Sequence, residues 1–428
     1  MIIKQKVPTI LSLTFILSLV FFRFYHAIQL DQFYIDELTR AGLIKALLTD
    51  GIPPETKRLG LFFVFTDADF ADIFFITPAL IWARIFGYSF VSLRIFSSLL
   101  TIGGIVLLGK AVSLWYDKSL KIFLMVTIIG LIMPWNYLQG MLFWGPTLTP
   151  LYMIIAFWSF SRLANPKENE KHYLPHFLFP ISLIAIVYTY RVAGFVAVGM
   201  YIFMYAYLIH HKFIVRKQIF TALTISIATS LPLVIAALGW SDFWSRSSYN
   251  SLFSFGGFKT QVYYFVQSID KLFSLEFLFF LGDNNYRHHS GANGGMIGLG
   301  VAIPLFALIY FAFKNRLGKN ETFLTILSLF GIALSFFGTA LTNPHDNPHS
   351  LRSNCAWVFI VILAGIGLIN LHKAKTKTCT VLFILTYITM FLFSIYYLYH
   401  FSTQFLPGSG YWFHLEQGYK FADIYLTN

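Results

Sequence analysis

Residues 347–368, NPHSLRSNCAWVFIVILAGIGL, decide the fold of this chain. The stretch opens in a polar turn, sets Arg352 at a boundary, and then runs on to Leu371 without another charged residue. A helix needs about 20 apolar residues to cross bilayer hydrocarbon. Windows of this kind recur near 8–28, 91–114, 121–137, 145–163, 177–190, 193–210, 218–239, 294–313, 322–341, 353–371 and 380–399. They predict an all-α integral membrane protein of about eleven transmembrane helices, folded as one polytopic domain over residues 1–428.

Composition agrees. Hydrophobic residues make up 57% and charged residues only 12%, where soluble domains carry about 25%. The net charge of +12 does not read as a nucleic-acid surface, because the cations fall in short clusters between apolar runs. Lys4 and Lys6, then Lys110, Lys118 and Lys121, Arg162 and Lys167, Lys212 and Arg216, Lys314 and Arg316, and Lys373 to Lys377 occupy alternate connections. By the positive-inside rule these are cytoplasmic, which puts the N-terminus inside and the C-terminus outside. Of the acids only Asp117, Glu168, Glu170 and Glu321 then lie inside. The apolar run 9–22 lacks a small-residue cleavage site and is read as a retained first span rather than a signal peptide. Cys355 and Cys379 sit at opposite ends of one predicted span, too far apart for a disulfide.

Outer connections are few and large: 29–90, 240–293, 342–352 and a short tail from 400 to 428, with no soluble C-terminal domain expected. Within the first, Ile73–Phe86 is apolar but too short to span with ease, which suits an interfacial helix. The second carries Trp240, Trp244, Tyr249, Tyr263 and Tyr264, as expected at headgroup level.

Chemistry is therefore sought on the outer face. Residues 30–40, LDQFYIDELTR, leave the first span with adjacent acids Asp36 and Glu37. They read either as a solvated first helical turn, where acids favour the N-terminus, or as a general base with a like-charged neighbour. Asp67, Asp69 and Asp72 could offer oxygen ligands to a divalent cation; a helix cap reads better, and no metal or other cofactor is assigned. Residues 282–300, GDNNYRHHSGANGGMIGLG, join Asp283, Arg287, His288 and His289 to a glycine-rich entry into the eighth window. Arginine with helix-start amides suits an anion better than a metal. Arg352, in 343–354 (NPHDNPHSLRSN), admits a phosphate contact or simple snorkelling, as do Arg191 and Arg246.

The order of these motifs resembles the GT-C class of bacterial membrane glycosyltransferases, in particular the protein mannosyltransferase and aminoarabinose transferase group. The resemblance rests on the Asp36-Glu37 pair, on FGYSFVSLRIFSSLL at 86–100, YTYR at 188–191, WSRSSYNSLFS at 244–254, GDNNYRHHSGANGG at 282–295 and the opening stretch. It implies a polyprenyl-phosphate sugar as donor, used on the outer leaflet, with Asp36 as catalytic base and Glu37 beside it. Arg287, His288 and Arg352 then match cations near the lipid phosphate, while Arg191, Arg246, Asp283 and Tyr190 are further candidates for substrate contact. Many relatives carry an Arg or Asp in the outer loop after the third span, where this chain has NYLQGMLFWGP at 136–146, so the acceptor side is expected to differ.

The reading is a membrane glycosyltransferase that moves one sugar from polyprenyl phosphate to an acceptor, with inversion. No G-x-G-x-x-G or P-loop appears, which agrees with a lipid-borne donor. Other readings of the same features are a polymerase of lipid-linked glycans, a lipid or sugar flippase, and a non-catalytic scaffold.

Overall fold

The computed structural model describes residues 2–30, 35–49, 56–59, 63–66, 70–71, 73–165, 173–239, 251–283 and 294–408. Each of the eleven apolar windows contains a helix. These are α1 (Ile2–Gln29), α4 (Phe90–Ser113), α5 (Leu120–Ile132), α7 (Thr149–Leu163), α8 (Leu174–Thr189), α9 (Gly194–His210), α10 (Arg216–Gly239), α12 (Ala302–Phe313), α13 (Lys319–Ala340), α14 (Ala356–Ala374) and α15 (Lys377–His400). Among the described residues, 7 helices are long and apolar enough to cross a membrane by themselves. Between these run α2 (Ile35–Leu48), α3 (Ile73–Phe86), α6 (Pro134–Gln139) and α11 (Phe258–Phe273).

Local chemistry sets several boundaries. The Ser89 side chain accepts from the Ser92 amide at the start of α4, and Thr376 caps α15 in the same way through Cys379. Proline disfavours helical geometry in the residue before it, so α5 ends at Ile132, with Met133 extended and Pro134 next. The predicted third and eighth spans are accordingly shorter than their windows. The first ends at Ile132, and the second starts at Ala302 after an irregular entry.

Among the described residues, extended pairing occurs as one small sheet and an isolated bridge between Ser251 and Thr342. Strands β1 (Thr56–Leu59), β2 (Phe63–Thr66) and β3 (Phe70–Ala71) form an antiparallel sheet between α2 and α3, with Leu59 opposite Phe63 and Val64 opposite Ala71. Strands this short are invisible to a search for 20-residue runs. The expected interfacial helix is α3, roughly 21 Å long at 1.5 Å per residue and so too short to cross alone.

Helix α14 is the centre of the bundle: 89% of its apolar window is buried, against α5, α12, α13 and α15. It approaches α12 so closely that a Cβ at Gly367 would lie 1.8 Å from the Pro304 carbonyl oxygen. Small residues allow this kind of helix contact where no hydrophobic drive exists between apolar surfaces in lipid. Helix α10, packed on α8, has only 6% of its window buried and turns Phe220, Ile227 and Leu238 outward.

Candidate active site

The two acids of the first connection separate sharply in their surroundings. Both sit in the first turn of α2. Glu37 is fully buried; its Oε1 accepts from Arg94 Nε at 2.9 Å and from the Phe143 amide at 2.8 Å, and its Oε2 accepts from Arg94 Nη2 at 2.6 Å. Arg94 donates its remaining Nη1 to the Leu30 carbonyl. One guanidinium thus ties the end of α1, the start of α2 and the body of α4, in the bidentate geometry that arginine and carboxylate share. The charge of Glu37, read as the neighbour of the base, is met by Arg94, and both its oxygens accept hydrogen bonds. Asp36, one position earlier, is half-buried at the rim. Nearby, Tyr88 donates to the Ala41 carbonyl at 3.1 Å; burial pushes the phenol up to about 12, so it stays a donor at working pH.

A third element meets this corner from an unexpected direction. The connection between α5 and α7, which the sequence places in the outer loop as NYLQGMLFWGP, is buried without exception from residue 131 to 150. It supplies the Phe143 amide to Glu37, and its other end reaches the polar stretch before α14. Gln139 Nε2 donates to Ser350 Oγ at 2.9 Å and Trp135 Nε1 to the Ser350 carbonyl at 3.0 Å. The amide and hydroxyl of Ser350 both donate to Asp283 Oδ2, at 2.8 and 2.7 Å. Asp283 is therefore buried and anchors Ser350 in the stretch 347–352.

Arg352 lies on this same stretch. Its Nη1 donates to Thr342 Oγ1 at 2.9 Å and its Nη2 to Asp346 Oδ2 at 2.8 Å, with the Asp346 side chain 43% exposed. The glycine-rich entry differs from the expected anion cradle over its described part. The amides of Gly294 and Gly295 donate to the Phe280 carbonyl, those of Met296 and Ile297 to Phe277 and Leu278, and that of Gly298 to Gly294. The glycines are needed for backbone shape instead: Gly295 has φ +61, and a Cβ there would lie 2.5 Å from the Leu278–Phe279 backbone, where no side chain fits.

Tyr190 and Arg191 form the half-buried corner between α8 and α9. Arg246, Arg287, His288 and the aspartates at 67, 69 and 72 lie outside the described residues, as do Trp240, Trp244 and Tyr249. Two buried arginines went unnoticed in the sequence, Arg94 and Arg23, each 1% exposed. Their signal was available: a charged side chain inside an apolar window is costly and demands a named partner.

No protein-family model and no curated protein sequence matches this chain. Its fold does match a solved structure, that of ArnT from Cupriavidus metallidurans bound to undecaprenyl phosphate, with a TM-score of 0.57 over 93% of this chain and 78% of that one. At 11% identity the likeness is one of fold.

Proposed function

We propose that this chain is a polyprenyl-phosphate-dependent glycosyltransferase of the inner membrane that moves a single sugar to an acceptor on the outer face. The observation that carries the reading is the split between the two adjacent acids. Glu37 is held in a dry, bidentate pair with Arg94, while Asp36, in the same helical turn, is half-buried. A base needs both a fixed position and access to its proton, and a half-buried place beside a fixed pair supports that reading. The fold shared with a structure bound to undecaprenyl phosphate supports the donor class.

In the reaction, Asp36 takes the proton of an acceptor hydroxyl as its oxygen attacks the anomeric carbon. The new C–O bond forms on one face while the bond to the lipid phosphate breaks on the other, so configuration inverts. The departing phosphate keeps its electron pair and needs fixed positive charge more than a proton. Arg287, His288 and Arg352 are assigned to that end. The sugar is a hexose or pentose, and the acceptor a lipid, glycan or protein.

The test is transfer from a radiolabelled polyprenyl-phosphate sugar in proteoliposomes. Asp36→Asn should lower kcat by about 10²- to 10⁴-fold, the range for loss of a general base. A variant as fast as wild type would remove Asp36 from the mechanism, and a wild-type protein that releases no label would remove the function.

A further inference from the structure

Arg23 is a buried cation in the first membrane helix, and among the described residues no carboxylate pairs with it. Its Nη2 donates to the Asn136 side-chain oxygen at 2.5 Å and to the Asn136 carbonyl at 3.2 Å. Its guanidinium carbon lies 4.9 Å from the centre of the Tyr137 ring. Among the described residues, Nη1 has no hydrogen-bond partner. Membrane helices rarely bury such a charge, and where they do its contacts point to its use.

Among the described residues, the hydrogen bonds and the ring contact of Arg23 all go to the buried connection that joins the two ends of the candidate site. Asn136 is itself locked, its Nδ2 donating to the Gly130 carbonyl at 2.7 Å across the break at Met133. One turn along α1, His26 bridges Tyr137 at 2.9 Å and Ser402 at 2.8 Å, and stacks on Phe401. The segment thus carries in order Trp135 toward Ser350, Asn136 to Arg23, Tyr137 to His26, Gln139 toward Ser350, and Phe143 to Glu37. The acid corner and the Asp283–Ser350 anchor share no closer connection through these bonds than this segment. Their relative placement depends on how it is held.

We infer that Arg23 is a positioning residue for transfer: through Asn136 it clamps the connection 133–148, and so fixes the Glu37 corner relative to the stretch that carries Arg352. The inference rests on the proposed function for its kinetic consequence, but the clamp itself is a statement about structure. A misplacement near 1 Å in a reacting pair can cost about 10²-fold in rate, so a loosened clamp should appear in kcat while donor binding is kept.

The experiment compares wild type with Arg23→Met, Arg23→Lys, Asn136→Ala and the double variant Arg23→Met with Asn136→Ala, each purified in detergent. Two readouts are taken: steady-state transfer, and hydrogen–deuterium exchange of peptides covering Phe143 and Ser350. Arg23→Met and Arg23→Lys should both lower kcat at least tenfold with donor KM within twofold, because lysine lacks the fork. Exchange at Phe143 should quicken at least tenfold, and the double variant should be no worse than Arg23→Met, since both act through one contact. If Arg23→Met does not accumulate, Asn136→Ala carries the same comparison.

Unchanged exchange and kcat in the folded variants would overturn the clamp. So would additive losses, or a uniform fall in folded protein with normal kcat in what remains, because a merely structural arginine behaves that way. Faster exchange with no transfer by wild type would keep the clamp and remove the proposed function instead.

Discussion

Two arginine–carboxylate pairs serve this face of the molecule, and they differ in everything but chemistry. Arg94 and Glu37 meet at 2.6 Å with side chains 1% and 0% exposed, whereas Arg352 and Asp346 meet at 2.8 Å with side chains 10% and 43% exposed. The first pair has every neighbour turned to its service: the Phe143 amide and the Leu30 carbonyl satisfy groups the pair leaves over. Such a pair gives little net stability relative to an apolar replacement, yet removing one member strands a buried charge. The second is open to water on the acid side, where pairs are worth about 0–1 kcal/mol and yield to a better partner. A guanidinium pairs with phosphate in the same bidentate geometry as with carboxylate. One pair is therefore a fixture, and the other an exposed contact; under the proposed function it is the one that donor phosphate would replace.

The largest effect should come from splitting the fixture. Glu37→Gln or Arg94→Met should each destabilise the protein by about 3–5 kcal/mol, seen as loss of monodisperse protein on size exclusion and a fall in Tm. Glu37→Met with Arg94→Met removes both charges and should recover much of that loss. If either single variant is as stable as wild type, the buried pair is not a fixture and the contrast fails. A smaller effect on folding but a clear one on transfer is expected at the other pair. Arg352→Ala should keep Tm near wild type while lowering donor use by about 10²-fold, the scale for one group lost from a charge-stabilising site. A fall in Tm as large as that of Arg94→Met would place Arg352 with the scaffold.

Much of this architecture was legible in the residues. Each apolar window proved to hold a helix, because a bilayer leaves no other solution for a 20-residue apolar run, and 7 of the described helices are long and apolar enough to cross one. The pair 36–37 was legible too, but the different environments of its members were not: the partner that separates them, Arg94, is 57 positions away. Sequence spacing carries no such long-range information. The segment 136–146 misled for a related reason. Its asparagine, tyrosine and glutamine suit a wet interface as well as an interior, and only packing shows that their polar atoms reach Arg23, His26 and Ser350. The glycines at 294–298 are a third instance, where one composition serves an anion cradle or a tight crossing. Here the amides are already bonded to carbonyls.

The finest test of the contrast lies in Asp346 alone. Asp346→Asn keeps the shape of the side chain but removes the charge that competes with phosphate for Arg352. If the exposed pair is exchangeable, the donor should bind more tightly, because less interaction is given up on entry. A surface pair of about 0.2–1 kcal/mol corresponds to a fall in donor KM of about 1.4- to 5-fold. The difference between variant and wild type should shrink as salt is raised, since the exposed partner is screened in both. A rise in KM would mean that Asp346 aims the guanidinium rather than occupying it, which would make the second pair a fixture of the same kind as the first.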